Sequence, residues 1–129
     1  MRADQLMIGD WVKTNDLYKA IKDVKVRAIS QYSVQDETTS QWIDCQHIQP
    51  IPLTKDILEK NGFVEDRKIK CYTYEEEKTL KRLIQNFTHF GDFDCHIVSK
   101  NFDADMRLSY VHELQHALKL CGIDKQIIL

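Results

Sequence analysis

Glycine and proline are scarce in this chain of 129 residues: four glycines (Gly9, Gly62, Gly91 and Gly122) and two prolines (Pro50 and Pro52). So few glycines, so far apart, cannot build a glycine-rich phosphate cradle, and neither a P-loop nor a G-x-S-x-G nucleophile turn is present. Uninterrupted apolar runs stop at two or three residues, far short of a membrane span. The opening MRADQLMIGDW has no apolar stretch and carries Asp4 and Asp10, so it does not read as a secretory signal and points to the cytoplasm. There is no excess of charge of one sign. Residues 1–53 carry six basic and seven acidic side chains and the remainder twelve and thirteen, for a net charge of −2. Neither half has the positive excess that phosphate-backbone binding needs, so nucleic acid is disfavoured as a partner. There is no C-x-x-C. Cys45, Cys71, Cys95 and Cys121 lie about 25 residues apart without a repeat around them, and are expected as free thiols in preference to disulfides or a thiolate metal site.

What is present is ordinary globular material, 43% hydrophobic and 29% charged, long enough for one core or two very small ones. The first half reads as short strands. Ile8-Gly9 is a turn pair before Asp10-Trp11-Val12. Val24, Val26 and Ala28 alternate with Lys25 and Arg27, and the polar stretch 35–41 leads into Trp42-Ile43-Asp44-Cys45. The two prolines after His47 exclude helix and central strand alike and mark a boundary. Several short strands in so few residues predict a strongly curved, SH3-like small β-barrel over 1–53, with Trp11, Trp42 and their apolar neighbours as its filling.

Residues 54–129 predict a small α+β half. Thr54 caps a helix with Asp56 in its first turn, Ile57 and Leu58 inward, and Asn61-Gly62 closing it before Phe63. A strand is expected over 68–74, with Ile69 and Cys71 on one face. Leu80, Leu83, Ile84 and Phe87 fall at i, i+3, i+4 and i+7, which predicts a helix over 75–87. Phe93, Cys95 and Ile97 alternate as a strand. Ser109 is expected to cap a helix over 110–121, closed by Gly122, with residues 127–129 as a short last strand.

That final helix contains His112-Glu113-Leu114-Gln115-His116, the H-E-x-x-H spacing that grips zinc with two histidines on one helix face. The helical wheel places Val111, Leu114, Ala117, Leu118 and Cys121 on one apolar stripe and both histidines nearly opposite, beside Lys119, where they read as solvated. A third ligand is hard to find. Lys119 and Gly122 stand where a longer zinc motif would continue, and Asp124 is the only downstream carboxylate. His89, His96, Asp94 and Cys95 lie upstream without a ligand spacing. Asp92, Asp94, Asp103 and Asp105 form two D-x-D pairs without the later Gly and Glu of a calcium loop, and describe a solvated strand edge or turn. Lys19, Lys22, Lys25 and Arg27 form the densest basic run, interrupted by Asp16 and Asp23, and read as a solvated face. No catalytic residue, cofactor or metal is expected. A zinc hydrolase through His112, Glu113 and His116 is the minor alternative.

Several stretches carry a resemblance. The sequence from Asp4 to Val12 is similar to a start of the type ELRIGNWV, Ile48 to Thr54 matches IQPIPLT, and Leu58 to Phe63 matches LLKFGF. Tyr110 to Gln115 resembles YVHELQN, followed by an ALTG-like helix end. Together these resemble a group of uncharacterised small proteins of Bacteroides-type bacteria and their prophages and mobile elements. The anchors run from residue 4 to 122, with nothing matched between Val64 and Leu108. The resemblance implies shared architecture and no known activity. Its pattern typically has Asn where this chain has His116, so it lends the zinc motif no support. The expectation is a non-enzymatic interaction or accessory protein acting on a protein partner or a second copy of itself. A nucleic-acid-binding barrel module is the alternative.

Overall fold

The computed structural model describes residues 1–15, 17–66, 71–76, 81–87, 93–99, 102–120 and 122–129; for 66, 71, 75–76, 81–87, 93–99 and 102–106 the description is of the backbone. The fold is α+β. Its two compact units are Met1–Pro52 together with Tyr110–His112, and Leu53–Ser109 together with Glu113–Leu129.

The first unit is a five-stranded antiparallel sheet: β1 (Trp11–Thr14), β2 (Asp23–Ile29), β3 (Ser33–Asp36), β4 (Trp42–Asp44) and β5 (Ile48–Pro50). The strand order is β4-β3-β2-β1-β5. Valine and isoleucine occupy every second position and turn to one face. Val12, Val24, Val26, Val34, Ile43 and Ile48 are each at most 2% exposed, so every strand contributes to the core, which Leu6 and Cys45 complete. Early residues of β2 pair with β1 (Val12 opposite Val24) and later ones with β3 (Ile29 opposite Val34). A bulge between Val26 and Ala28 separates the two ladders and bends the strand from one neighbour to the next.

Two expectations for this unit are corrected. Among the described residues no ladder joins β4 to β5, so the sheet is open and the barrel is not closed. The tryptophans are not its filling. Trp42 is 52% exposed. Trp11 is half-buried, with the Lys25 ammonium 6.0 Å above its ring. The strand period decides this: Val12 and Ile43 take the inward positions, so their tryptophan neighbours must face outward. β3, Ser33–Asp36, was not expected, and its last two residues fall in the stretch 35–41 that reads as polar loop. The prolines following His47 fall, as their chemistry requires, on and beside an edge strand.

Hydrogen bonds fix the connections. The Met7–Asp10 turn has Gly9 at φ 95°, a left-handed value that favours glycine. The Asp10 carboxylate accepts from the Met7 N–H at 2.8 Å, and the Gly9 N–H donates to the Val26 carbonyl at 2.7 Å. The buried Thr14 hydroxyl donates to the Ala20 carbonyl at 2.7 Å and accepts from the Lys22 N–H at 2.9 Å, closing the loop after β1. Asp36, 2% exposed, accepts from Lys22 Nζ at 2.8 Å, the Thr38 N–H at 2.9 Å and the Thr39 hydroxyl at 3.1 Å. Burial alone would raise its pKa; these three donors and the Lys22 charge outweigh it and hold Asp36 below the ordinary aspartate value.

The second unit opens with α1 (Lys55–Lys60), capped as expected: Thr54 Oγ1 accepts from the Ile57 N–H at 3.3 Å. Gly62 N–H returns to the Glu59 carbonyl and Phe63 N–H to the Leu58 carbonyl, the paired bonds of a Schellman end, with Gly62 at φ 85°. A five-stranded antiparallel meander follows, in spatial order β10-β9-β8-β7-β6. Its strands are β6 (Val64–Asp66), β7 (Cys71–Glu76), β8 (Lys81–Phe87), β9 (Phe93–Ser99) and β10 (Phe102–Leu108). The helix expected over 75–87 is therefore wrong: its last seven residues are β8, laddered to β7 on one side and β9 on the other, while 77–80 lie outside the described residues. A short apolar cluster does not distinguish helix from buried strand, and two full ladders outweigh a weak helical preference. The strand expected over 68–74 begins at Cys71, with 67–70 outside the described residues. β9 is where alternation placed it.

The last helix, α2 (Val111–Leu120), ends in a second Schellman pair, Gly122 N–H to the Lys119 carbonyl and Ile123 N–H to the Leu118 carbonyl, both 2.9 Å. The tail does not form the expected strand. Its backbone is held instead by Asn61, which is fully buried: Asn61 Oδ1 accepts from the Ile128 N–H and Nδ2 donates to the Ile128 carbonyl, both at 2.7 Å. The side-chain amide replaces the neighbouring strand. Buried in this unit are Leu53, Leu58, Phe63, Tyr72, Leu108, Leu114, Ala117, Leu118, Ile123 and Ile127. The Tyr72 hydroxyl donates to Glu59 Oε1 at 3.1 Å. Burial first, then Glu59, pushes its pKa up to about 12.

Candidate binding site

Three short pieces of the first unit surround an open cavity of about 680 Å³. The 3₁₀ turn Ala3–Gln5 is held by the Arg2 N–H donating to Gln5 Oε1 at 3.0 Å, and is followed by the buried Leu6. The β2–β3 hairpin is tied by the Ser30 N–H to the Ser33 carbonyl at 2.8 Å and by the two serine hydroxyls at 2.6 Å, which pushes Gln31 and Tyr32 out at its tip. The 3₁₀ turn Cys45–His47 starts from Asp44, whose Oδ1 accepts from the Gln46 N–H at 3.0 Å. The Cys45 N–H donates to the Tyr32 carbonyl at 2.8 Å and fastens this turn to the hairpin tip.

The apolar residues of the wall are Met1, Ala3, Ile29, Tyr32 and Cys45; Arg2, Asp4 and Asp44 stand among the polar lining. Tyr32 is 69% exposed, although its ring borders an apolar hollow. Burial pushes the Cys45 thiol pKa up, the Met1 ammonium offsets part of this, and Asp44 adds to the rise. Cys45 is therefore a protonated free thiol, the opposite of the depressed pKa that a nucleophilic cysteine requires. Arg2 and Asp4 pair with each other at 3.4 Å. Concave, largely apolar and without a histidine, the hollow has the shape and lining common to binding pockets.

The residues singled out in the sequence lie elsewhere. His112, expected to be solvated, is 7% exposed, with its ring stacked on Tyr110 at 5.9 Å and 13°. His116 is half-buried. The wheel placed Val111, Leu114, Ala117 and Leu118 correctly, and all four are buried, but the burial extends round the helix at its first turn. Glu113 Oε1 accepts from the Ser109 N–H at 2.9 Å, a helix-start contact, where a zinc hydrolase needs this carboxylate on a metal-bound water. Among the described residues no group of three His, Cys, Asp or Glu side chains comes together to hold a metal. The side chains of His89, His96, Asp92, Asp94, Cys95, Asp103 and Asp105, and of Cys71 and Cys121, lie outside the described residues. In the basic run, Lys22 is bound to Asp36 and Lys25 lies 3.8 Å from Glu37. Among the described residues no helix is long and apolar enough to cross a membrane. The cavity is not visible in the sequence because its walls come from three separated segments, with no periodicity or motif to mark them.

Comparison with protein-family models, with curated proteins and with solved structures finds no match for this chain.

Proposed function

We infer that the first unit is a non-enzymatic interaction module whose recognition site is the hollow beside Tyr32 and Cys45, and whose partner is a protein. The observation that carries this is a largely apolar cavity bordered by the exposed Tyr32 and by Cys45. Such a site gains free energy by burying a partner's apolar side chain. No acid–base pair or activated nucleophile among its lining side chains supports chemistry there. The resemblance to small proteins of mobile elements noted above would agree with an accessory role.

The test is a photo-crosslinking residue at position 32, with the exposed Lys119 as control position, in cells that express the chain. The expected result is a defined protein adduct at position 32, absent at 119, and displaced by excess unlabelled protein. Absence of a competable adduct would remove this reading. A nuclease-sensitive adduct whose yield falls steeply with salt would put the nucleic-acid reading in its place.

A further inference from the structure

Asn61 and Gly62 each answer a different need of the second unit. Asn61 clamps the tail through both backbone groups of Ile128, and its Nδ2 also donates to the Ile57 carbonyl at 2.8 Å. Gly62 takes the left-handed position that ends α1, at φ 85°. Together they make the one Asn-Gly pair in the chain; Asn15, Asn86 and Asn101 precede Asp16, Phe87 and Phe102. In an unconstrained chain that pair is labile. Without a side chain to obstruct it, the glycine nitrogen swings onto the asparagine side-chain carbonyl carbon and closes a cyclic imide. The fold holds Asn61 and Gly62 away from this reaction. At ψ 16° the Gly62 nitrogen lies across the Asn61 Cα–C bond from Cβ, on the wrong side for ring closure. Its proton is engaged with the Glu59 carbonyl at 3.2 Å. The Asn61 amide is fixed by its three hydrogen bonds at 0% exposure, out of reach of water. Two of those three bonds go to the tail, which Lys60 also holds by donating to the Leu129 carbonyl. Residues 123–129 form neither strand nor helix, so their release requires less than global unfolding.

We propose that Asn61–Gly62 is an intramolecular deamidation site gated by the tail: the reaction is blocked while residues 123–129 are docked and proceeds when they leave. The Gly62 nitrogen bonds to Asn61 Cγ, the Cγ–Nδ2 bond breaks, and ammonia departs with the Gly62 proton. Water then opens the imide at either carbonyl, giving aspartate, or isoaspartate in which the main chain runs through Cγ. The net reaction consumes water and releases ammonia, and nothing is oxidised or reduced. Neither product restores the clamp. A carboxylate cannot donate to the Ile57 and Ile128 carbonyls, and isoaspartate inserts a methylene into the main chain where the Schellman bonds must close. Ile123 and Ile127, buried in the docked tail, are then left uncovered. A chain that has deamidated therefore stays open. The pair acts as a one-way latch that marks chains whose tail has been released, and it is independent of the interaction reading, which concerns the first unit.

The full chain is incubated at neutral pH, native or in urea, and peptides spanning Asn61 are followed by mass spectrometry for amide-to-acid conversion, with isoaspartate assigned by fragmentation. In urea, Asn61 should convert ahead of Asn15, Asn86 and Asn101. In the native chain its conversion should be slower by about tenfold or more. Ile127→Ala, which loosens the tail and leaves the Asn-Gly pair intact, should raise the native rate by about tenfold. The wild-type chain decides the matter even if that variant does not fold. Below the unfolding transition, the urea dependence of conversion should match that of Ile128 N–H exchange and be shallower than that of Leu118 N–H exchange in α2. In the recovered isoaspartate form the Ile128 N–H should have lost its protection. Native conversion as fast as that in urea would overturn the proposal, because docking would then protect nothing. So would a urea dependence equal to that of Leu118 exchange, which would make global unfolding the gate. An isoaspartate form that keeps Ile128 protected would remove the latch.

Discussion

Asn61 is the residue whose replacement tests the account of the second unit most sharply. It follows α1, is fully buried, and makes three hydrogen bonds at 2.7–2.8 Å: Nδ2 to the Ile57 and Ile128 carbonyls, and Oδ1 from the Ile128 N–H. Its backbone angles, φ −97° and ψ 16°, suit alanine, so Asn61→Ala isolates the side chain. Each hydrogen bond contributes about 1 kcal/mol net, and a buried group left unpaired costs about 1–3 kcal/mol. Ile128 is 56% exposed, so water can reach part of its freed backbone, which lowers the penalty there. The expected loss is about 2–3 kcal/mol. Asn61→Asp should be worse at neutral pH. It keeps the acceptor for the Ile128 N–H but sets an oxygen against two carbonyls and a negative charge at a helix C-terminus. Acidification, by restoring one donor, should narrow its deficit. The measurement is urea unfolding followed by far-ultraviolet circular dichroism. Tryptophan fluorescence makes a useful control, because Trp11 and Trp42, the only two tryptophans, both lie in the first unit. A loss below about 1 kcal/mol for the alanine variant, or an aspartate variant as stable as alanine, would refute the claim that this amide holds the tail.

Four further outcomes are expected. Asp36 has a lowered folded-state pKa, so its contribution is full above the ordinary aspartate value of 3.8 and is lost as pH falls through the folded value. Lys22→Ala should cost about 1–2 kcal/mol at neutral pH, since Lys22 is one-third exposed, and should flatten the acid limb of the urea midpoint against pH. Gly62→Ala should cost about 1 kcal/mol through the left-handed backbone, because the added Cβ would meet only Tyr74 Cε2 at an ordinary 3.9 Å. Cys45 should resist alkylation in the native chain near neutral pH and react on unfolding, which peptide mapping of the labelled protein will read. Tyr72 should ionise only near 12, so Tyr72→Phe should remove the highest-pH step from an ultraviolet titration; because its folded pKa is raised from 10.0, stability falls as pH climbs between those values.

Local chemistry was legible in the sequence wherever one residue type answers one backbone need. Thr54 and Gly62 bound α1, Gly122 closes α2, and Ile8-Gly9 sits in the turn before β1, because caps and left-handed turns are specified within four or five residues. Partner-dependent features were not legible. β8 looks helical because Leu80, Leu83, Ile84 and Phe87 satisfy a 3.6-residue period, and only pairing with β7 and β9 decides against it. The strand character of β3, Ser-Val-Gln-Asp, comes from its two neighbours. The tryptophans were misplaced for a related reason: size suggested core, but the alternation of Val12 and Ile43 had already assigned the inward positions.

The same division separates the visible motif from the candidate site. H-E-x-x-H is contiguous, so it stands out in the sequence, yet Glu113 is engaged at the helix start and His112 is buried against Tyr110. The hollow is assembled from Ala3, Ile29, Tyr32 and Cys45, residues with nothing in common until β2 turns back at Ser30 and Cys45 bonds to Tyr32. Its neighbouring edge is equally invisible, because which carbonyls of Trp42-Ile43-Asp44 face outward depends on the register with β3. A one-residue slip would carry Ile43 out of the core and turn Trp42 into it. Burial of Ile43 at 1% exposure therefore does two things at once: it stabilises the sheet, and it fixes the outward direction of Trp42 and Asp44 on either side of it.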